Sequence, residues 1–379
     1  MFAQLVSPMS DDPLTLVFAG DLVLDEPDAG YWLSGIGPAL RGCDLAIGHL
    51  EVPHTDACEE VAGDVPSPGA APENLAALSA VGFGAVSLAG NHMADCGAVG
   101  IRDTIAGLDA VGIAHAGAGP NLAAARAPAV VAANGRLVAL LSYNCVGPEF
   151  GWATDGRAGV AYLPLVSDDG EPVTPRSTIA AISPGAFKTL EDDIAFAQSQ
   201  ADVVIVAMHK GRVHTPAVLE GYERPLAQAA IDRGADVVIG HHAHIMRGIE
   251  FHRGKPIFHG LGNGCVVTRA LSPAQDHPAR KEWAERRKAL FGFEPEPDYT
   301  LAPFHPQAKH AMLGKVEYGP GGAVTASIIP VWVEPPGRPV LALGERRDDV
   351  FCYFEHITRA ADLAPVRVDR SSGEVAPAR

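Results

Sequence analysis

Five apolar, strand-like runs in this chain each stop at a polar residue able to bind a divalent metal, and that repetition limits the fold more than any other feature. The run 14–20 stops at Asp21, and 44–47 leads to His49 and Glu51. The run 83–89 gives way to Gly90-Asn91-His92, 203–208 to His209, and 237–240 to His241-His242-Ala243-His244. Near-continuous apolar strands are buried on both faces, and ligands of open α/β sheets gather beyond the carboxyl ends of the strands. Five strand ends are therefore expected to point at one place. Asp21, Glu51, Asn91, His209, His242 and His244 form a mixed oxygen and imidazole set, suited to Zn, Mn, Fe or Co rather than Ca. Each alone reads as an ordinary solvated strand end; the joint pattern reads as a metal site.

At 379 residues and 47% apolar content the chain can bury a large core. The order of elements suggests one α/β domain over 14–335, with an insertion at about 268–310 and an extension over 336–379 whose tail, 364–379, is expected to fray. Lys and Arg number 29 against 45 Asp and Glu, a formal charge of −16 that repels nucleic acid and anionic membranes. No apolar run has the length of a transmembrane helix, and residues 1–13 lack the basic and apolar regions of a secretory signal. Cys43, Cys58, Cys96, Cys145, Cys265 and Cys352 contain no C-x-x-C pair, so all six are expected as reduced thiols in a cytoplasmic protein.

Strands alternate with amphipathic helices, which argues a layered fold. Ile101, Ile105, Leu108 and Val111 have helical spacing over 97–111. Thr215 and Pro216 read as the N-cap and first residue of a helix that Arg233-Gly234 closes. Further strands are expected at 137–142 and 256–259, and a hairpin at 311–318 and 323–333 around Gly319-Pro320-Gly321-Gly322. The polar, Pro-rich and aromatic stretch 268–310, with a charged helix at 281–293, is expected to overhang the site.

Several motifs resemble one family. They are Ala19-Gly20-Asp21, Leu50-Glu51, Ala89-Gly90-Asn91-His92-Met93-Ala94-Asp95, Gly117-Ala118-Gly119, His209-x-Gly211, Ile239-Gly240-His241-His242-Ala243-His244 and Gly260-Leu261-Gly262-Asn263. In that order the chain is similar to the CapA-type, poly-γ-glutamate capsule protein branch of the calcineurin-like metallophosphatases. The resemblance implies an α/β metallophosphatase-like αββα sandwich, two central β-sheets flanked by helices, with a dinuclear site for divalent transition metal (Mn, Zn or Fe). Asp21 and His244 would hold one metal, Asn91, His209 and His242 the other, and Glu51 would bridge them. His92 would stabilise or protonate a leaving group, with Asp95 orienting its ring, during attack by a metal-activated hydroxide.

The chain departs from the pattern in two places. Asp21-Leu22-Val23 lacks the usual Asp-x-His imidazole, so the set around His209 looks the more complete. His49 either replaces the missing ligand or hydrogen-bonds a carboxylate. In place of His-Trp-Gly-x-Glu stands His209-Lys210-Gly211-Arg212-Val213-His214. Lys210, Arg212 and His214 are expected to offer positive charge to a small acidic substrate, with Asn144, Tyr143 and Trp152 lining the cleft. Three functions follow: a metal-dependent hydrolase of a small acidic phosphoester or amide, an accessory or ligase-like role in poly-γ-glutamate capsule assembly, or a metal-binding protein without turnover.

Overall fold

In a computed structural model of the protein, residues 12–58, 60, 61, 67, 69–272, 276–319 and 322–378 are described. Among them, two large sheets carry the fold. The first, of ten strands, runs Val366–Val368, Glu374–Pro377, Val324–Glu334, His310–Tyr318, Leu14–Leu24, Leu45–Leu50, Phe83–Ser87 and Ala114–Ala116, with Asn263–Val267 and Arg338–Leu341 paired off this path. The second, of six, runs Ile249–His252, Lys255–Phe258, Val237–His241, Val203–His209, Arg136–Asn144 and Ala129–Ala133.

Strand alternation shows how the layers stack. Along Val203–His209, Val203, Ile205 and Ala207 enter a core shared with Leu16, Phe18 and Ile47 of the other sheet. Val204, Val206 and Met208 point the opposite way, into a core with Leu190 and Ile194 of the helix Pro184–Gln198 and Leu226 of the helix Glu223–Asp232. Successive side chains of a strand face opposite sides, so a run apolar on both faces is covered on both. The rings of Phe18 and Phe258 meet between the sheets at 6.1 Å. The expected αββα sandwich is what the chain builds.

The hairpin is present as His310–Tyr318 paired antiparallel with Val324–Glu334, although residues 320 and 321 of its turn lie outside the described residues. The helix over 97–111 is Gly97–Ala110, and the charged helix is Pro278–Phe291, closed by Gly292 at φ +75°. Four expectations are corrected. Asp21 does not end its strand: Leu14–Leu24 continues past it, and the register slips there against both Leu45–Leu50 and Asn263–Val267. Thr215 and Pro216 start no helix, because Ala217 takes the left-handed φ of +57° and the helix opens at Glu223. The tail is not frayed, since Val366–Val368 and Glu374–Pro377 pair with each other and the latter with Val324–Glu334. Finally, Cys58 and Cys96 form a disulfide, while Cys43, Cys145, Cys265 and Cys352 are free thiols. No helix among the described residues is long and apolar enough to cross a membrane.

Candidate metal centre

The register slip at Asp21 is what aims its carboxylate. Gly20 lies so close to the neighbouring chain that a Cβ there would fall 1.8 Å from the Gly262 oxygen, and Asp21 N–H donates to that same carbonyl. Asp21 is paired across the sheet with His49 and Asn263, and its Oδ1 accepts from the backbone N–H of His242 at 3.3 Å. Gly90 plays a similar part, for a Cβ at that position would stand 2.9 Å from His49 Nε2. The loop carrying Asn91 can thus close on the sheet only without a side chain there.

Two groups of ligand atoms result. Oxygens and ring nitrogens of Asp21, Glu51 and His244 lie within 4.8 Å of one another, as do those of Asp21, His49 and His209. His209 Nε2 is also 2.7 Å from Asn91 Oδ1 and 3.1 Å from His242 Nδ1. Two donor atoms each roughly 3 Å from His209 Nε2 have the separation from it of donors sharing one ion at about 2.1 Å. All these side chains except Asn91, His242 and His244 are 1% exposed, and those three stay at 7% or below. His242 and His244 hold positive φ, 87° and 52°, a conformation that non-glycine residues keep where function demands it.

Orphaned polar atoms test whether a metal fits. Asp21 Oδ2, His49 Nε2, Glu51 Oε2, His209 Nδ1 and His242 Nε2 are buried with no hydrogen-bond partner. Leaving so many buried polar atoms unpaired costs about 1–3 kcal/mol each, which a cation removes for those it binds. Burial and the Glu51 carboxylate push Asp21 up to about 8. Burial would lower His244, but Glu51 and Asp21 outweigh it and raise the ring to about 9. Burial pushes His49 down to about 4, His242 to about 3 and His209 well below its usual value, so these imidazoles are neutral donors. The donor set fits one or two divalent transition ions.

Sequence reasoning passed over His241. Its ring stacks on His49 at 4.6 Å, its Nδ1 lies 3.7 Å from Asp21 Oδ1, and neither ring nitrogen has a hydrogen-bond partner. The signal available was register, since His241 pairs with His209 on the adjacent strand. His92 stands apart from the ligand atoms. It lines the cleft over the cluster, and its Nδ1 is 2.7 Å from Asp95 Oδ2, which also accepts from Ser67 N–H at 2.6 Å. Asp95 in turn precedes Cys96, so the disulfide anchors the loop that presents His92.

The expected cationic lining is not found. Lys210 is fully buried beneath the site, donating to Glu223 Oε2 at 2.7 Å and to His259 Nδ1 at 3.3 Å, while His259 Nε2–H donates to Glu250. Arg212 points outward to Glu220 at 2.9 Å and lines a different cavity. His214 does face the cleft, but burial holds its ring well below the usual value, so it brings no charge. Asn144 braces a turn, accepting from Val146 N–H, Gly147 N–H and Trp152 Nε1–H. Tyr143 turns to Asp193, and Trp152 stacks on Tyr162 at 4.2 Å. Lys210→Ala is therefore expected to act on stability, costing about 3–5 kcal/mol because Glu223 is left buried and unpaired. Chemical denaturation reads this directly, and an unchanged midpoint would argue that the pair is not what holds Lys210.

A layered αββα domain with a buried carboxylate and imidazole cluster at its strand ends has the donor set that a metal centre requires. The chain belongs to the bacterial capsule synthesis protein PGA_cap family, whose model matches residues 15–266. It is 27% identical over 292 residues to the PGA biosynthesis protein CapA of Bacillus subtilis, covering 72% of this chain and 70% of that protein. It is 34% identical over 201 residues to a probable polyglutamine synthesis accessory protein of Mycobacterium tuberculosis, covering 51% of this chain and 47% of that one. Among solved structures it is similar to a hypothetical protein of Thermus thermophilus at TM-score 0.45 and 16% identity, over 84% of this chain and 99% of that one. At that level the likeness carries no further argument.

Proposed function

We propose that this chain is a metal-dependent hydrolase of phosphoester or amide bonds. The observation that supports this most is the convergence of buried donors from Asp21, His49, Glu51, His209 and His242, with Asp21 Oδ2, His49 Nε2 and Glu51 Oε2 left unpartnered, beside the His92–Asp95 pair on a cleft. Asp21, Glu51 and His244 would hold one ion, and Asp21, His49 and His209 another with Asn91 and His242 beside it, so that Asp21 would be shared where the family pattern has Glu51 as the bridge. Bound divalent ions supply Lewis acidity and a hydrolytic nucleophile at neutral pH.

The protein's own groups do the remainder. Asp95 fixes the Nδ1–H tautomer of His92, so Nε2 is the atom that passes a proton to the departing oxygen or nitrogen. The backbone N–H of His242 holds the Asp21 carboxylate in place. The Cys58–Cys96 disulfide favours an oxidising compartment over the cytoplasm.

Family membership supports a second reading, a part in poly-γ-glutamate synthesis without hydrolysis. Loading the purified protein with Mn or Zn, then offering aryl phosphates, phosphodiesters and γ-glutamyl amides, separates the two. Turnover of one class is the expected result. Bound metal with no turnover, together with tight and length-dependent binding of poly-γ-glutamate, would overturn the hydrolase reading.

A further inference from the structure

The space over the ligand cluster is walled by aromatic rings. Its cleft is lined by Glu51, Asn91, His92 and His244 together with Trp283, Phe291 and Phe304. Phe304 lies 4.6 Å from the ring of His244, so the aromatic wall begins at a ligand residue and runs outward. Phe291 packs edge-on to Trp283 at 5.9 Å and to His214 at 5.2 Å. Trp283 and Phe291 are only partly buried, and with Leu271 they leave apolar surface open to the cleft. A second space shares Leu271 and Phe304 and adds Val23, Val52 and Val266.

Among the described residues no lysine or arginine lines either space. Nor does the sequence put one at 59, 62–66, 68 or 273–275. Arg287, behind the wall, is 3% exposed; its guanidinium lies 4.6 Å from the Trp283 ring and donates to the carbonyls of Pro303 and Leu271. Its charge is used to hold the wall in shape. A ligand with several carboxylates could bring one of them to the cluster, but the others would have to be desolvated against rings with no lysine or arginine to pair them. An uncharged ring or branched apolar group would instead bury these surfaces edge to face and leave its one polar group at the cluster.

We infer that the substrate carries a single scissile polar group joined to an aromatic or comparably bulky apolar group, which occupies the pocket of Trp283, Phe291 and Phe304. This rests on the hydrolase reading and names its substrate class. The test compares binding of phenylphosphonate and methylphosphonate to the metal-loaded protein by calorimetry. Phenylphosphonate is expected to bind about 10- to 100-fold more tightly, the gain of taking one ring out of water. Trp283→Ala and the milder Phe291→Leu should both shrink that ratio, with metal content and methylphosphonate affinity reporting that the fold is kept. Equal affinities, or a ratio unchanged in both variants, would overturn the aromatic pocket while leaving hydrolysis standing. A phenyl preference with no turnover of any phenyl ester would support the pocket and overturn the hydrolase reading. Tighter binding of a γ-linked glutamate oligomer than of phenylphosphonate would also overturn the inference.

Discussion

Asp21→Asn is expected to strip the centre of metal more completely than any other single substitution. Asp21 is the one residue common to both groups of ligand atoms, one with Glu51 and His244 and the other with His49 and His209. The asparagine oxygen can still accept from His242 N–H, so the local backbone is retained. Its charge is lost, however, and an amide is a poor replacement for a carboxylate at a divalent ion. Reloading with Mn or Zn followed by elemental analysis should find both sites depleted, against loss at one site for Glu51→Gln. A metal present at a thousand times its dissociation constant stabilises the fold by about 4 kcal/mol, and that thermal shift should vanish in the variant. Retention of the full metal content would show that Asp21 is not shared. Sequence alone favoured His209 for this role, because the set of Asn91, His209, His242 and Glu51 looked complete; geometry moves the emphasis to Asp21.

The second large effect concerns catalysis without metal loss. His92→Asn should lower kcat by roughly 10²- to 10⁴-fold while leaving metal content unchanged, the usual range for a positioned acid or base. His92 belongs to neither group of ligand atoms, and its Nδ1 is engaged by Asp95. Asp95→Asn should fall between the variant and the parent, since it disturbs only the tautomer and orientation. The limb of the pH–rate profile that reports the acid should shift in Asp95→Asn and disappear in His92→Asn. Loss of metal in His92→Asn would make the residue a ligand, and full activity would remove it from the reaction.

The ligand residues were legible because they sit next to a short-range signal. Apolar strands such as Val203–His209 and Val237–His241 announce themselves by composition, and His209 at the end of the first and His242 just past the second are placed by those strands, whatever happens far away. Asp21 was found for the same reason even though its strand runs on to Leu24. His241 was missed because it is the last residue of the strand itself, and only the pairing with His209 on the neighbouring strand brings it to the cluster.

Long side chains followed no such rule. Lys210 directly follows a ligand, yet its flexible stem takes the ammonium to Glu223, thirteen residues on, and Arg212 reaches Glu220 at the surface. Sequence proximity constrains a Cα, not the end of a four-carbon chain. What the sequence by itself determined is therefore the layered α/β class, the family, and the chemical character of the strand-end residues, all written in local pattern and residue type. What only the tertiary structure decided is the Cys58–Cys96 bond, the inward turn of Lys210, the pairing of the last strands and the aromatic wall over the centre. Each of those depends on which distant segments meet through space, and no short-range periodicity records that.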